Sequence, residues 1–234
     1  PGYYPVDITG AYAGFVTPAG KTGAIGFGWS NFVSKSLYTE NIFVFGWARS
    51  TDGLINLDEN EQIYMGLNLK YMSFSFDGDL YNASLFNKYG NSVSGLTLDF
   101  GINYEPSEKF RFALTGKNIY PMNTGLVTRE IIPAEFNLGT MYSIKKAGFI
   151  DEIKIAAQLG ARSAGTSGGI MPAGGIEAIS SRTFAVRLGL NPSEAGLGLG
   201  SGILKGLEVN FSFLVPYKMQ GSPVSFRTGT VFYW

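Results

Sequence analysis

Neither cysteine nor histidine occurs among the 234 residues. Without thiols there is no disulfide and no thiolate nucleophile. Without imidazole as well, Ser-His-Asp and Cys-His catalysis and the usual zinc sites are excluded. The expectation is a non-enzyme with no metal and no cofactor. Charge is also scarce: Asp, Glu, Lys and Arg make up 15% of the chain, with 18 residues of each sign and no net charge. Nucleic acid demands a basic footprint, so no such partner is expected. No apolar run approaches the roughly 20 residues of a membrane-spanning helix. No signal peptide is visible, and no linker or charge run divides the chain. Residues 1–234 therefore read as a single domain, and Pro1 in place of methionine reads as the start of a mature or trimmed chain.

Glycine is what the chain has in excess, 32 residues, about double the average usage of roughly 7%. The dominant pattern is some ten residues of polar–apolar alternation, a turn cluster, then alternation again, the mark of strands with two unlike faces. Leu96, Leu98, Phe100, Ile102 and Tyr104 interleave with Thr97, Asp99, Gly101, Asn103 and Glu105. After a Pro106–Lys109 turn, Phe110, Phe112 and Leu114 interleave with Arg111, Ala113 and Thr115. Read this way, the chain predicts thirteen strands: 7–17, 22–32, 39–49, 61–74, 95–105, 110–119, 134–145, 152–162, 174–180, 183–190, 195–203, 206–215 and 223–234. The segment 174–180 is the shortest of them, and no helix of useful length is expected. Tight turns at Pro18–Lys21, Pro106–Lys109, Ser181–Arg182 and Leu204–Lys205 alternate with longer connections at 75–94, 120–133 and 163–173. Outer-membrane barrels have such short and long sides, although 50–60 is a long connection on the short side.

A soluble sandwich alternates too. Three features favour a transmembrane antiparallel up-and-down β-barrel. The strands match the 9–11 residues of a tilted membrane crossing rather than the five or six of soluble strands. Aromatics stand near strand ends on the apolar face (Trp47, Tyr71, Tyr104, Phe110, Tyr142, Trp234), like the girdles at membrane interfaces. The polar face is rich in Gly, Ala, Ser and Asn, as a crowded interior requires. Register is strongly set. Slipping 110–119 by one residue would bring Arg111 and Lys117 to lipid at roughly 2–4 kcal/mol each. It would also withdraw Phe112 and Leu114 at about 1.5–3 kcal/mol each.

The last eight residues, Arg227 to Trp234, read RTGTVFYW. Arg227, Gly229, Phe232 and the aromatic Trp234 fit the signal read by the barrel-assembly machinery. Single-chain bacterial barrels have even strand numbers. Thirteen strands therefore predict one more upstream of residue 1, for fourteen; discounting 174–180 is the alternative, giving twelve.

Further runs carry a family resemblance: AIGFGWS at Ala24–Ser30, YTENIFVFGWAR at Tyr38–Arg49, MGLNLKY at Met65–Tyr71, and GLTLDFGINYEPSEKFRFALTGKNI at Gly95–Ile119. Pro133–Tyr142 and the GGIEA of Gly174–Ala178 continue the order. Together they resemble the PorV/PorQ-like branch of the FadL-like superfamily of outer-membrane barrels. The resemblance covers most of the chain. It implies fourteen strands with an N-terminal plug and passage of hydrophobic compounds, or, for the PorV-like branch, escort of secreted proteins at the cell surface. The sequence shows none of that plug ahead of its first strand, a departure from the pattern, and no ligand residue is carried over.

Two apparent motifs dissolve. AGKT at Ala19–Thr22 ends like a P-loop, but Phe15 stands where its first glycine belongs and a hairpin turn fits better. Gly196, Gly198, Gly200 and Gly202 occupy alternate positions of one strand and leave one face bare. The residues expected to line a lumen are Lys70, Asp99, Arg111, Lys117, Glu135, Lys154, Glu177, Arg187, Glu208 and Arg227. They either pair across strands and narrow the lumen or form a weakly basic constriction that favours anions. Apolar residues in and beside the long loops (Leu85, Phe86, Ile119, Tyr120, Met122, Leu126, Met171) are expected to pack together, ahead of folding over the mouth or binding a partner. The expected function is a porin-like or FadL-like channel for small or amphipathic solutes. The alternative is a non-transporting envelope scaffold or PorV-like escort. Either would be integral to the bacterial outer membrane, with lipid, the assembly machinery, and a further copy or another envelope protein as partners.

Overall fold

The computed structural model describes residues 8–52, 55, 57–78, 83–163, 169–180, 183–204, 206–217 and 224–232. Thirteen antiparallel strands form one sheet in which each strand is hydrogen-bonded to the next in sequence. They are β1 (Ile8–Pro18), β2 (Ala24–Ser34), β3 (Tyr38–Ser50), β4 (Gln62–Phe76), β5 (Ser92–Glu105), β6 (Phe110–Lys117), β7 (Glu135–Ala147), β8 (Ile150–Arg162), β9 (Ile170–Ser180), β10 (Phe184–Leu190), β11 (Glu194–Leu204), β12 (Leu207–Pro216) and β13 (Ser225–Phe232). The predicted turns at Ser181–Arg182 and Lys205, and the terminal Trp234, lie outside the described residues.

Alternation sets the register. Across β4 and β5, Met65 faces Ile102, Leu67 faces Phe100 and Leu69 faces Leu98, while Gly66 faces Gly101 and Asn68 faces Asp99. Like meets like on each face, which is what resists slippage. Among the described residues the apolar face has no second layer against it: Leu67 is 53% exposed and Leu138 60%. Aromatic rings run along this face. Phe27, Phe43 and Tyr71 lie 6.5 and 6.4 Å apart in succession, and Phe110 and Tyr142 are 4.8 Å apart. Trp47 also keeps its polar tip satisfied, its indole N–H donating to the Thr22 carbonyl at 2.9 Å.

The sheet curls towards its polar face. The Tyr12 hydroxyl of β1 lies 2.6 Å from where a Cβ would stand on Gly229 of β13, so the two edge strands come within one side chain of each other. No backbone ladder joins them among the described residues, and over nearly all their length their Cα atoms are more than 8 Å apart. Among the described residues the buried hydrophobic side chains are only Met72, Met122 and Ala185, all on the concave side.

Three local features depart from expectation. A two-turn helix, α1 (Ala83–Tyr89), occupies part of the β4–β5 connection where no helix was expected. Leu85, Phe86 and Tyr89 share one side of it at helical spacing, and Gly90 ends it at φ +79° with its N–H on the Phe86 carbonyl, a left-handed cap that glycine adopts without strain. β9 begins four residues earlier than predicted because Pro172, a residue that demotes a strand signal, sits in the ladder opposite Leu159. β6 ends at Lys117, since Asn118 takes φ +53° and turns the chain off the ladder. In the β5–β6 turn, the Lys145 ammonium hydrogen-bonds Glu108 at 2.6 Å and holds that carboxyl below the usual carboxylate range.

Candidate functional site

The register places all ten charged residues singled out above on the concave face. Most of them meet an opposite charge. Lys70 and Asp99 are 2.7 Å apart with side chains only 12% and 15% exposed, the most enclosed pair. Glu177 lies between two cations, 3.2 Å from Lys154 and 2.5 Å from Arg187. Arg187 also reaches Glu208 at 3.7 Å and donates to Asn210 at 2.6 Å. Its guanidinium crosses the inner surface at Gly200, where a Cβ would stand 2.8 Å from it. The bare glycine face of β11 therefore makes room for Arg187. Arg111 pairs with Glu105 at 2.6 Å, and Glu135 accepts from Arg162. Lys117 and Arg227 have no ion pair among the described residues.

Sequence reasoning missed the partners Glu105, Glu152, Arg162, Asn118 and Asn210. Alternation puts Glu105, Glu152, Arg162 and Asn210 on the same face as the ten, so that signal was available. Asn118 stands beyond the end of β6, where the period carries no information.

A cavity of about 1270 Å³ lies on the concave face. One wall, from β1 to β3, is small and apolar: Gly14, Val16, Gly26, Val44, Gly46 and Ala48. From β4 to β6 the lining adds polar groups, Asn68, Asp99, Asn103, Thr115 and Lys117, among Gly66, Gly101 and Ala113. Towards the end of the sheet that carries the long connections, the interior fills. Met72 and Met122 are each 4% exposed there, and the Phe32, Tyr38 and Phe76 rings of the same face lie 5.6 and 6.3 Å apart, tilted to one another.

No model of a known protein family matches the chain, and no curated protein matches it. The site therefore stands on its own geometry. Of the proposed assembly-signal residues, Arg227 lies on the concave face opposite Ser212 and Gly229 opposite Asn210, while Phe232 projects from the convex face, 65% exposed.

Proposed function

We propose that the chain is a transmembrane β-barrel of the bacterial outer membrane that passes small or amphipathic solutes through its interior. An apolar convex face with no covering layer is what lipid solvates. A concave face of ion pairs and glycines is what a narrow water-filled lumen needs. The observation that carries the transport reading is the cavity itself, lined by small apolar residues along β1–β3 with polar groups added from β4–β6, which suits a solute having both characters. The residue resemblance to FadL-like barrels points the same way. In proteoliposomes the protein is expected to admit small solutes in a swelling assay. Among the described residues Lys117 is the unpaired charge on the cavity wall, so single channels are expected to lean towards anions, and Lys117→Glu to move the reversal potential towards cations. Swelling no faster than empty liposomes would remove the transport reading. The PorV-like escort is then the reading left, favoured by the exposed Tyr120, Val127 and Ile131 of the β6–β7 connection, which offer a partner an apolar surface.

The same reading includes a fourteenth strand. With thirteen up-and-down strands, β1 and β13 run in the same direction, so direct closure would have to be a parallel ladder. Over nearly all their length their Cα atoms are more than 8 Å apart, beyond the single spacing of about 4.8 Å that direct pairing needs. A strand from upstream of residue 1, antiparallel to both edges, fits the space. In the folded protein Ala13→Cys combined with Thr230→Cys is expected to form no disulfide, which needs Cα atoms within about 7 Å, but to be linked by a bifunctional maleimide spanning about 10 Å. A disulfide would mean thirteen strands closed directly.

A further inference from the structure

We infer that the β6–β7 connection, residues 118–134, is an internal constriction that sets the size limit of passage, with Met122 as its stopper and Asn118 as its anchor. The inference rests on the transport reading for its meaning, but its geometry stands apart from it.

The connection is not free as a long surface loop would be: its two ends and Met122 are held against the concave face, while Tyr120, Val127 and Ile131 stay exposed. It leaves β6 at Asn118, whose N–H donates to the Asp99 carboxylate at 2.9 Å. The Asn118 side-chain oxygen accepts from the Lys70 ammonium at 2.6 Å, and its amide reaches the Pro133 carbonyl at 3.3 Å. One asparagine thus ties both ends of the connection to the most enclosed ion pair of the interior. The chain then lies along the concave face of β5. The fully buried Thr97 donates its hydroxyl to the Tyr120 carbonyl at 2.9 Å. Met122 follows, and its side chain fills the space left by Gly95, whose Cβ, if present, would stand 3.0 Å from it. Beyond it the segment closes on itself: the Asn123 side-chain oxygen accepts from Gly125 and Glu130, and the Ile132 N–H donates to the Met122 carbonyl. The result is a compact hairpin, pinned at its root and packed against the sheet through Met122 in its stem, next to Asp99 and Lys117 at the cavity's edge. An unbranched thioether is suited to the task, since it fills the gap and rearranges at little cost.

The absence of native cysteine makes the test clean. In an otherwise thiol-free protein, Thr115→Cys places a reporter in the cavity beyond the constriction. Its reaction with a water-soluble maleimide added to the long-connection side is expected to be slow, and to become about tenfold faster when residues 120–131 are replaced by a short glycine–serine link. Single-channel conductance is expected to rise with it. Separately, Gly95→Cys with Met122→Cys is expected to lock the segment on oxidation and lower conductance, reversibly with reductant. Labelling at Thr115→Cys that is equally fast with and without the segment, in protein that still folds into lipid, would overturn the inference. If labelling responds but nothing conducts in any variant, the constriction stands and the transport reading fails.

Discussion

Leu114→Arg is expected to cost about 2–4 kcal/mol of folding stability in lipid, while Thr115→Arg, one residue further along β6, costs less than about 1 kcal/mol. The two positions share a strand and differ in face. Leu114 stands on the convex side between Ile102 and Leu138, where on the barrel proposal an arginine would meet hydrocarbon. Thr115 stands on the concave side opposite Gly101, beside a cavity roomy enough for a guanidinium. Urea titration of the protein in lipid vesicles, followed by tryptophan emission, measures both. Equal costs, or a larger cost at Thr115, would mean that the convex face does not lie against lipid, and the barrel proposal would fall with it. The contrast does not depend on what the protein transports.

Removing the charge of Glu177 is expected to have the second largest effect. Glu177→Gln leaves shape and some hydrogen bonding in place but takes the anion from between Lys154 and Arg187. Breaking a fully buried pair costs about 3–5 kcal/mol, and exposed pairs are worth at most about 1 kcal/mol. These side chains are 22–39% exposed, and each cation keeps a second acid, Glu152 at 3.5 Å for Lys154 and Glu208 at 3.7 Å for Arg187. The expected cost is therefore intermediate, about 2 kcal/mol. Glu108→Gln, which removes the exposed pair with Lys145 in a turn, is the control and should change the same titration little. Matching costs for the two variants would show that the inner network does not brace the sheet. Desolvation decides the size of the difference: a charge partly withdrawn from water has fewer solvent dipoles to replace a lost partner.

Much of this arrangement was legible from residue order. All thirteen strands lie where alternation put them to within four residues at their ends, and the AGKT segment is the hairpin connection between β1 and β2 with a 3₁₀ turn at Gly20–Thr22. The glycine row of β11 was read as a space-making face, but the occupant of the space, the Arg187 guanidinium, was not readable. Which acid meets which base was likewise hidden, because Glu177 and Arg187 are brought together by pairing between β9 and β10 and Lys154 by pairing with β8. The β6–β7 connection was expected to pack with the other loops. Its anchoring on the concave face depends on Asn118 meeting Asp99 and Lys70, which two earlier strands contribute.

The amino-acid order alone determined the strands, their two faces and their up-and-down sequence. Side chains in an extended chain alternate every two residues, and short connections leave neighbouring strands no other partner. Only the tertiary structure decided the curl that brings Tyr12 over Gly229, the ion-pair assignments across the inner face, and the anchoring of residues 118–134 on the concave face through Asn118, Thr97 and Met122. Each depends on groups far apart in sequence meeting at ångström distances. A local period carries no record of such meetings.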